Sequence, residues 1–154
     1  MSDLIYGWGN DGFSAREEFL RACLRHALAQ PGSILECGSG LTTILVGAML
    51  EQSGGSMWSL EHDEFWHRRA QKALDRFRIR SVDLFHAPLT NYGDYSWYGV
   101  TGSLLPNSIS LVICDGPPSG TPGGGMVRYH LCAIGCSEEP WCFSMTQRGQ
   151  RSRQ

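Results

Sequence analysis

From Ser33 onward the chain alternates short apolar runs with longer stretches of helical period, each run ending at polar or glycine residues. Ile34-Leu35 runs into Glu36-Cys37-Gly38-Ser39-Gly40. Thr42 to Glu51 then reads as a helix that is apolar nearly all round, broken by Gly54-Gly55. Met57 to Leu60 predicts a second strand, closed by Glu61-His62-Asp63. A charged helix follows from about Glu64 to Phe77, with Phe65, Trp66, Ala70, Ala73, Leu74 and Phe77 as its expected buried face. Ser81 to His86 predicts a third strand stopped by Ala87-Pro88-Leu89, and Ser110 to Cys114 a fourth stopped by Asp115-Gly116-Pro117-Pro118. Ahead of these, Ser14-Ala15-Arg16-Glu17 reads as a capping box. The helix behind it carries Phe19, Leu20, Cys23, Leu24, Ala27 and Leu28 at helical spacing and stops at Gln30-Pro31-Gly32. Thr90 to Pro106, rich in glycine and aromatic residues, reads as a loop with a short hairpin. Continuous apolar strands alternating with helices predict a parallel sheet covered on both faces.

Composition narrows this picture without redirecting it. At 154 residues and 42% hydrophobic content, the chain has the length and the apolar material of one ordinary domain. A net charge of −2 offers no electrostatic footprint for nucleic acid or an anionic membrane. No apolar run approaches the ~20 residues a bilayer crossing requires, and the first residues are polar and acidic rather than signal-like. A cytoplasmic protein is the expectation. Cys23, Cys37 and Cys114 sit in apolar context and are expected as buried thiols. His130, Cys132, Cys136 and Cys142 cluster near the end but lack the paired C-x2-C spacing of a structural zinc site, so no metal site is expected.

In a doubly wound sheet, ligands bind outside the carboxyl ends of the strands, near the switch in strand order. Four strand ends here carry polar or glycine residues. Gly38 and Gly40 let the backbone approach a ligand closely, and the helix beginning near Thr42 points its free N–H groups at the same place. A dinucleotide fingerprint would put a third glycine where Thr43 stands. Glu36 would oppose a pyrophosphate at this loop but suits a ligand with an ammonium group.

Ile34-Leu35-Glu36-Cys37-Gly38-Ser39-Gly40-Leu41-Thr42-Thr43 resembles the first motif of class I S-adenosylmethionine-dependent methyltransferases. Ser59-Leu60-Glu61-His62-Asp63 resembles their second-strand acidic motif, and Asp115-Gly116-Pro117-Pro118 the fourth-strand signature of an Asp-Gly-Pro-Pro subgroup. The likeness runs from about Tyr6 to Tyr129. It implies an α/β fold: a Rossmann-like, doubly wound parallel sheet, incomplete at about four of seven strands, with an irregular carboxyl-terminal tail. Residues 1–129 would form the S-adenosylmethionine-binding domain and 130–154 the tail, whose last ten residues are almost wholly polar and expected to be disordered.

The resemblance also assigns roles. Glu36, Gly38 and Gly40 would line the methionine end of the cofactor, with Ser39 and Thr43 also among the residues that bind it, unless Glu36 instead caps the next helix or pairs with a nearby base. Glu61, preferred over Asp63, would accept both ribose hydroxyls. On that reading, Glu61→Ala should leave stability alone and abolish cofactor binding. His62 would lie over the adenine or stand solvated, and Ala87 and Leu89 would supply an apolar wall. Asp115 is the catalytic candidate, and three tasks stay open to it: holding the ammonium group, binding a divalent metal, or accepting a proton from the substrate. Tyr92, Tyr95, Trp97 and Tyr98 would wall the pocket, with Trp8 closing it. The expected reaction is methyl transfer to the O or N nucleophile of a small molecule.

After Pro118 the pattern departs from the subgroup. Gly123-Gly124-Gly125-Met126-Val127-Arg128-Tyr129 carries Met126 and Val127 before the Arg-Tyr pair, and the remaining strands of the family do not follow. A fragment or an altered carboxyl end is expected, with weakened binding, lost turnover and self-association through an exposed sheet edge. The alternatives are a non-catalytic remnant serving as an interaction module and, against Glu36 and Thr43, an NAD-dependent oxidoreductase.

Overall fold

The computed structural model describes residues 2–9, 16–30, 32–100, 104–118, 120–123 and 142–144. Helix α1 (Ser2–Trp8), which no periodicity announced, precedes α2 (Glu17–Ala29). The capping box expected at Ser14 lies outside the described residues. Arg16 stands at the α2 N-cap without a side-chain cap bond, and Glu17 and Glu18 oppose the positive end of the helix instead. Then follow β1 (Ser33–Cys37), α3 (Leu41–Ser53), β2 (Ser56–Glu61), α4 (Glu64–Phe77) and β3 (Val82–His86). A hairpin of β4 (Leu89–Asn91) and β5 (Ser96–Tyr98) occupies the expected loop, and β6 (Leu111–Cys114) follows it.

The sheet is α/β in the expected sense. Its order is β3-β2-β1-β6-β7, every neighbouring pair is parallel, and β1 at the centre is buried from Ile34 to Cys37. β7 (Cys142–Ser144) pairs with β6 inside the segment expected to be an irregular tail. The rest of that segment, with most of the cysteine cluster, lies outside the described residues, as do Met126 and Val127 ahead of it.

Alternation along the strands divides the core in two. Ile34, Met57, Val82, Leu111 and Ile113 face α2, α3 and α4 through Cys23, Ile44, Val46, Leu50 and Leu74. Leu35, Cys37, Leu60, Val112 and Cys114 face the opposite way, onto Ala87, Trp97 and Tyr98 of the hairpin region. Cys23, Cys37 and Cys114 are buried and form no disulfide. α3 suits the middle of this stack because, after the buried Thr42 and Thr43, only its last turn is polar, and Gly54 ends it in the left-handed region (φ 76°) with its N–H on the Leu50 carbonyl. α4 starts at Asp63, whose carboxylate accepts from the Trp66 N–H at 3.0 Å.

Three expected core side chains are exposed: Leu28 (66%), Phe65 (64%) and Phe77 (62%). The α2 seam is the narrow row Leu20, Cys23, Ala27, and Leu28 is turned about 100° away from Ala27. On α4, Ala70 and Leu74 are the buried residues. Phe65 points well away from Ala70 and packs edge-on against Trp66, while Phe77 ends the helix. Among the described residues, no helix is long and apolar enough to cross a membrane.

Candidate ligand crevice

The strand order reverses between β1 and β6, and there the carboxyl ends of the two strands are drawn tightly together. The N–H groups of Asp115 and Gly116 both donate to the Cys37 carbonyl, at 2.9 and 2.6 Å, while the Gly38 N–H donates to Leu60 O at 2.8 Å. Gly38 has φ 96°, and a Cβ on it would meet Gly116 N at 2.6 Å and Gly116 Cα at 2.9 Å. Two glycine backbones in contact thus form the base of the crevice. A Cβ on Gly116 would also strike Tyr98 Oη at 2.3 Å, so the hairpin closes over the same point.

The crevice encloses about 220 Å³. Gly38 and Ser39 form its floor, Glu61, His62, Asp63 and Trp66 one wall, and Tyr98, Asp115, Gly116 and Pro118 the other. Glu61 is the hub. Oε2 accepts from Ser39 N (2.9 Å) and Ser39 Oγ (2.8 Å), and Oε1 accepts from Asp63 N (2.9 Å) and stands 3.0 Å from His62 Nδ1. A carboxylate has about four lone-pair positions, and these three hydrogen bonds occupy most of them. Burial works against the Glu61 charge, yet His62 and these hydrogen bonds outweigh it and hold the carboxyl below its usual range. The same contact pushes His62 up.

No family model matches the chain, and no curated protein does. Among solved structures, precorrin-6y C5,15-methyltransferase from Geobacter metallireducens superposes at a TM-score of 0.53, with 17% identity over 84% of this chain and 66% of that one. The chain has that enzyme's Rossmann-like fold. A Klebsiella pneumoniae structure provisionally designated an O-methyltransferase overlaps at a TM-score of 0.46, with 19% identity over 73% of this chain and 50% of that one. The chain therefore spans half the length of one solved neighbour and about two thirds of the other.

Within this Rossmann-like frame, the expected site residues fall into two groups. Gly38, Ser39, Glu61, His62 and Asp115 meet at the crevice. Glu36, Thr43, Gly40, Ala87 and Leu89 do not line it. Ala87 is fully buried and gives its N–H to Glu61 O at 2.7 Å, and Leu89 pairs with Tyr98 inside the hairpin. Of the aromatic group, Tyr98 lines the crevice, Trp97 packs in the core and Tyr92 stacks on Tyr95 at 5.3 Å. Trp8 lies elsewhere, in a cleft of about 880 Å³ between α1, α3 and α4 that touches none of the expected site residues. Trp66, read as core, and Gly116 and Pro118, read only as a signature, are walls of the crevice. Their signal was their place next to strand ends.

Glu36 does not cap the next helix itself but braces Thr43, whose hydroxyl does. Thr43 Oγ1 accepts from the Gly40 N–H at 2.8 Å and gives its own proton to Glu36 Oε2 at 2.6 Å. Ser59, in register with Glu36 on β2, donates to the same oxygen at 2.6 Å. Oε1 is buried without a hydrogen-bond partner. Complete burial, reinforced by Asp115, pushes the carboxyl up to about 7 against the pull of these hydroxyls. The folded chain thus binds this proton more tightly than the unfolded one. Its stabilising effect is full in acid, falls as pH rises from 4.5 towards 7, and is absent above that. Glu36→Gln should remove a pH-dependent difference of about 3 kcal/mol between pH 5 and pH 8. Urea unfolding at both pH values measures it, and parallel pH profiles for the two proteins would refute the assignment.

Proposed function

We propose that the chain forms the S-adenosylmethionine-binding part of a class I methyltransferase acting on an O or N nucleophile of a small molecule. The observation that carries this reading is the crevice at the β1–β6 switch point, floored by glycine backbone and ringed by Glu61, Asp63 and Asp115. Three carboxylates against one imidazole favour a cationic ligand and repel a pyrophosphate. The donor set therefore fits S-adenosylmethionine, which supplies a methyl group already activated on a sulfonium. The enclosed volume lies below the 300–1,000 Å³ of common ligand pockets, so it accommodates part of such a molecule.

The residues divide the work by position. Asp115, at the end of β6 beside the glycine floor, would face the ammonium group. Glu61 would take ribose hydroxyls by exchanging contacts with Ser39 and His62, donor for donor. The closed Gly38–Gly116 contact fixes the floor, and Tyr98 shields it from water. Alignment and water exclusion are the main contributions such a site can make to methyl transfer. Among the described residues no group of three or more His, Cys, Asp or Glu side chains could hold a metal ion.

The test is a thermal-shift comparison. S-adenosylmethionine should raise Tm in proportion to the logarithm of its concentration, NAD should not, and Asp115→Asn should abolish the shift. A shift with NAD alone would replace the methyltransferase reading with an oxidoreductase one, and no shift with either would leave the interaction module.

A further inference from the structure

Away from the crevice, one pair of side chains able to bind a ligand has no task. His67 lies in the first turns of α4 and His86 ends β3, and their rings stand 5.5 Å apart, centre to centre, at a tilt of 43°. Neither ring makes a hydrogen bond or ion pair with another described residue. Their backbones are fixed: the His67 N–H donates to Asp63 O at 2.9 Å, and His86 is held in register with Glu61 on β2. Two rigid elements therefore present two imidazoles to one another, His86 exposed and His67 partly so.

Imidazole is the commonest protein ligand for transition metals. A zinc–nitrogen bond of about 2.0–2.1 Å places each ring centre about 3.2 Å from a shared ion. With an angle at the metal between tetrahedral and trigonal, the two ring centres would then stand about 5.1–5.5 Å apart. The observed separation lies at the upper end of that range, so the spacing of the two rings is one that a shared ion requires. We infer that His67 and His86 form a binding site for a divalent transition metal of the zinc, nickel and copper class, clipping α4 to the edge strand β3. No third protein ligand completes a set among the described residues, so water fills the remaining positions and the ion exchanges readily. Two neutral nitrogen ligands select this class over magnesium and calcium, which demand oxygen. The inference does not depend on the methyltransferase reading.

Titration of the full chain with nickel(II) and zinc(II), followed by calorimetry and by thermal unfolding, tests it. One equivalent should bind and raise Tm, and magnesium(II) should do neither. His67→Gln and His86→Gln should each weaken binding about 10-fold or more and remove the metal-dependent rise, because neither imidazole chelates alone. Metal-free Tm should hold for His86→Gln, whose ring is at the surface, so this variant serves even where His67→Gln folds poorly. Failure to bind, or binding and a Tm rise that survive in His86→Gln, would overturn the assignment.

Discussion

Replacing Glu61 with alanine is expected to destabilise the fold by about 2–4 kcal/mol at neutral pH, measured by urea unfolding. The motif alone, read as a ribose acceptor, predicts a silent change in stability. The structure predicts otherwise because the carboxylate is only 3% exposed and four groups converge on it. Its loss strands the Ser39 and Asp63 amides in a partly buried place and unties the glycine loop from the end of β2. Partial access of water to Ser39 and His62 keeps the expected loss at the low end for a broken buried network. The pH dependence has a definite sign. Glu61 is held below its usual range, so its contribution is present above the ordinary carboxyl range and fades as pH falls through its folded-state value. The variant should therefore lose part of the wild-type acid sensitivity. A change under about 1 kcal/mol would mean that the hydrogen bonds at Glu61 do not hold the loop.

Gly38→Ala should be at least as damaging, by about 3 kcal/mol or more, and should separate β1 from β6 at their ends. Two effects add at this position. An L side chain at φ 96° is strained by roughly 1–2 kcal/mol, and its Cβ would collide with the Gly116 backbone, which cannot swing aside as a side chain can. Gly40 provides the control. Its φ of 179° is ordinary extended backbone, and a Cβ there meets nothing within 4 Å. Gly40→Ala should thus cost under about 1 kcal/mol, the modest penalty of alanine at an N-cap. Equal effects of the two substitutions on unfolding would contradict the close contact at the switch point.

These two glycines show where sequence reading succeeds and where it stops. The pattern placed both in one loop because an apolar strand followed by glycines and an apolar helix is a local feature. Only the pairing of β1 with β6, between residues distant along the chain, reveals which of them is pressed against other backbone. Glu36 follows the same rule. Its neighbours in sequence suggest a ligand, but register with Ser59 and the turn at Thr43 direct its carboxylate into the interior. β1, β2, β3, β6, α3 and α4 were readable because each is long enough, or apolar enough, to show its period. Cys142–Ser144 was not, since three residues show no period and their strand exists only by pairing with β6. Gly38, Ser39, Glu61, His62 and Asp115 lie together at one crevice because parallel strands deliver all their carboxyl ends to one side of the sheet.

The strand order also sets the sequence in which the molecule can assemble. Glu36 meets Ser59 across 23 residues, whereas the bond from Ser110 back to Ser33 closes 77. The longer closure costs about 1 kcal/mol more in chain entropy and must be met before β6 gains any contact with β1. The β1–β2–β3 half, linked through α3 and α4, can therefore form from near neighbours while β6 is still unpaired. The glycine crevice is then a seam between an early half and a late one, and its two walls meet only when the chain has finished folding.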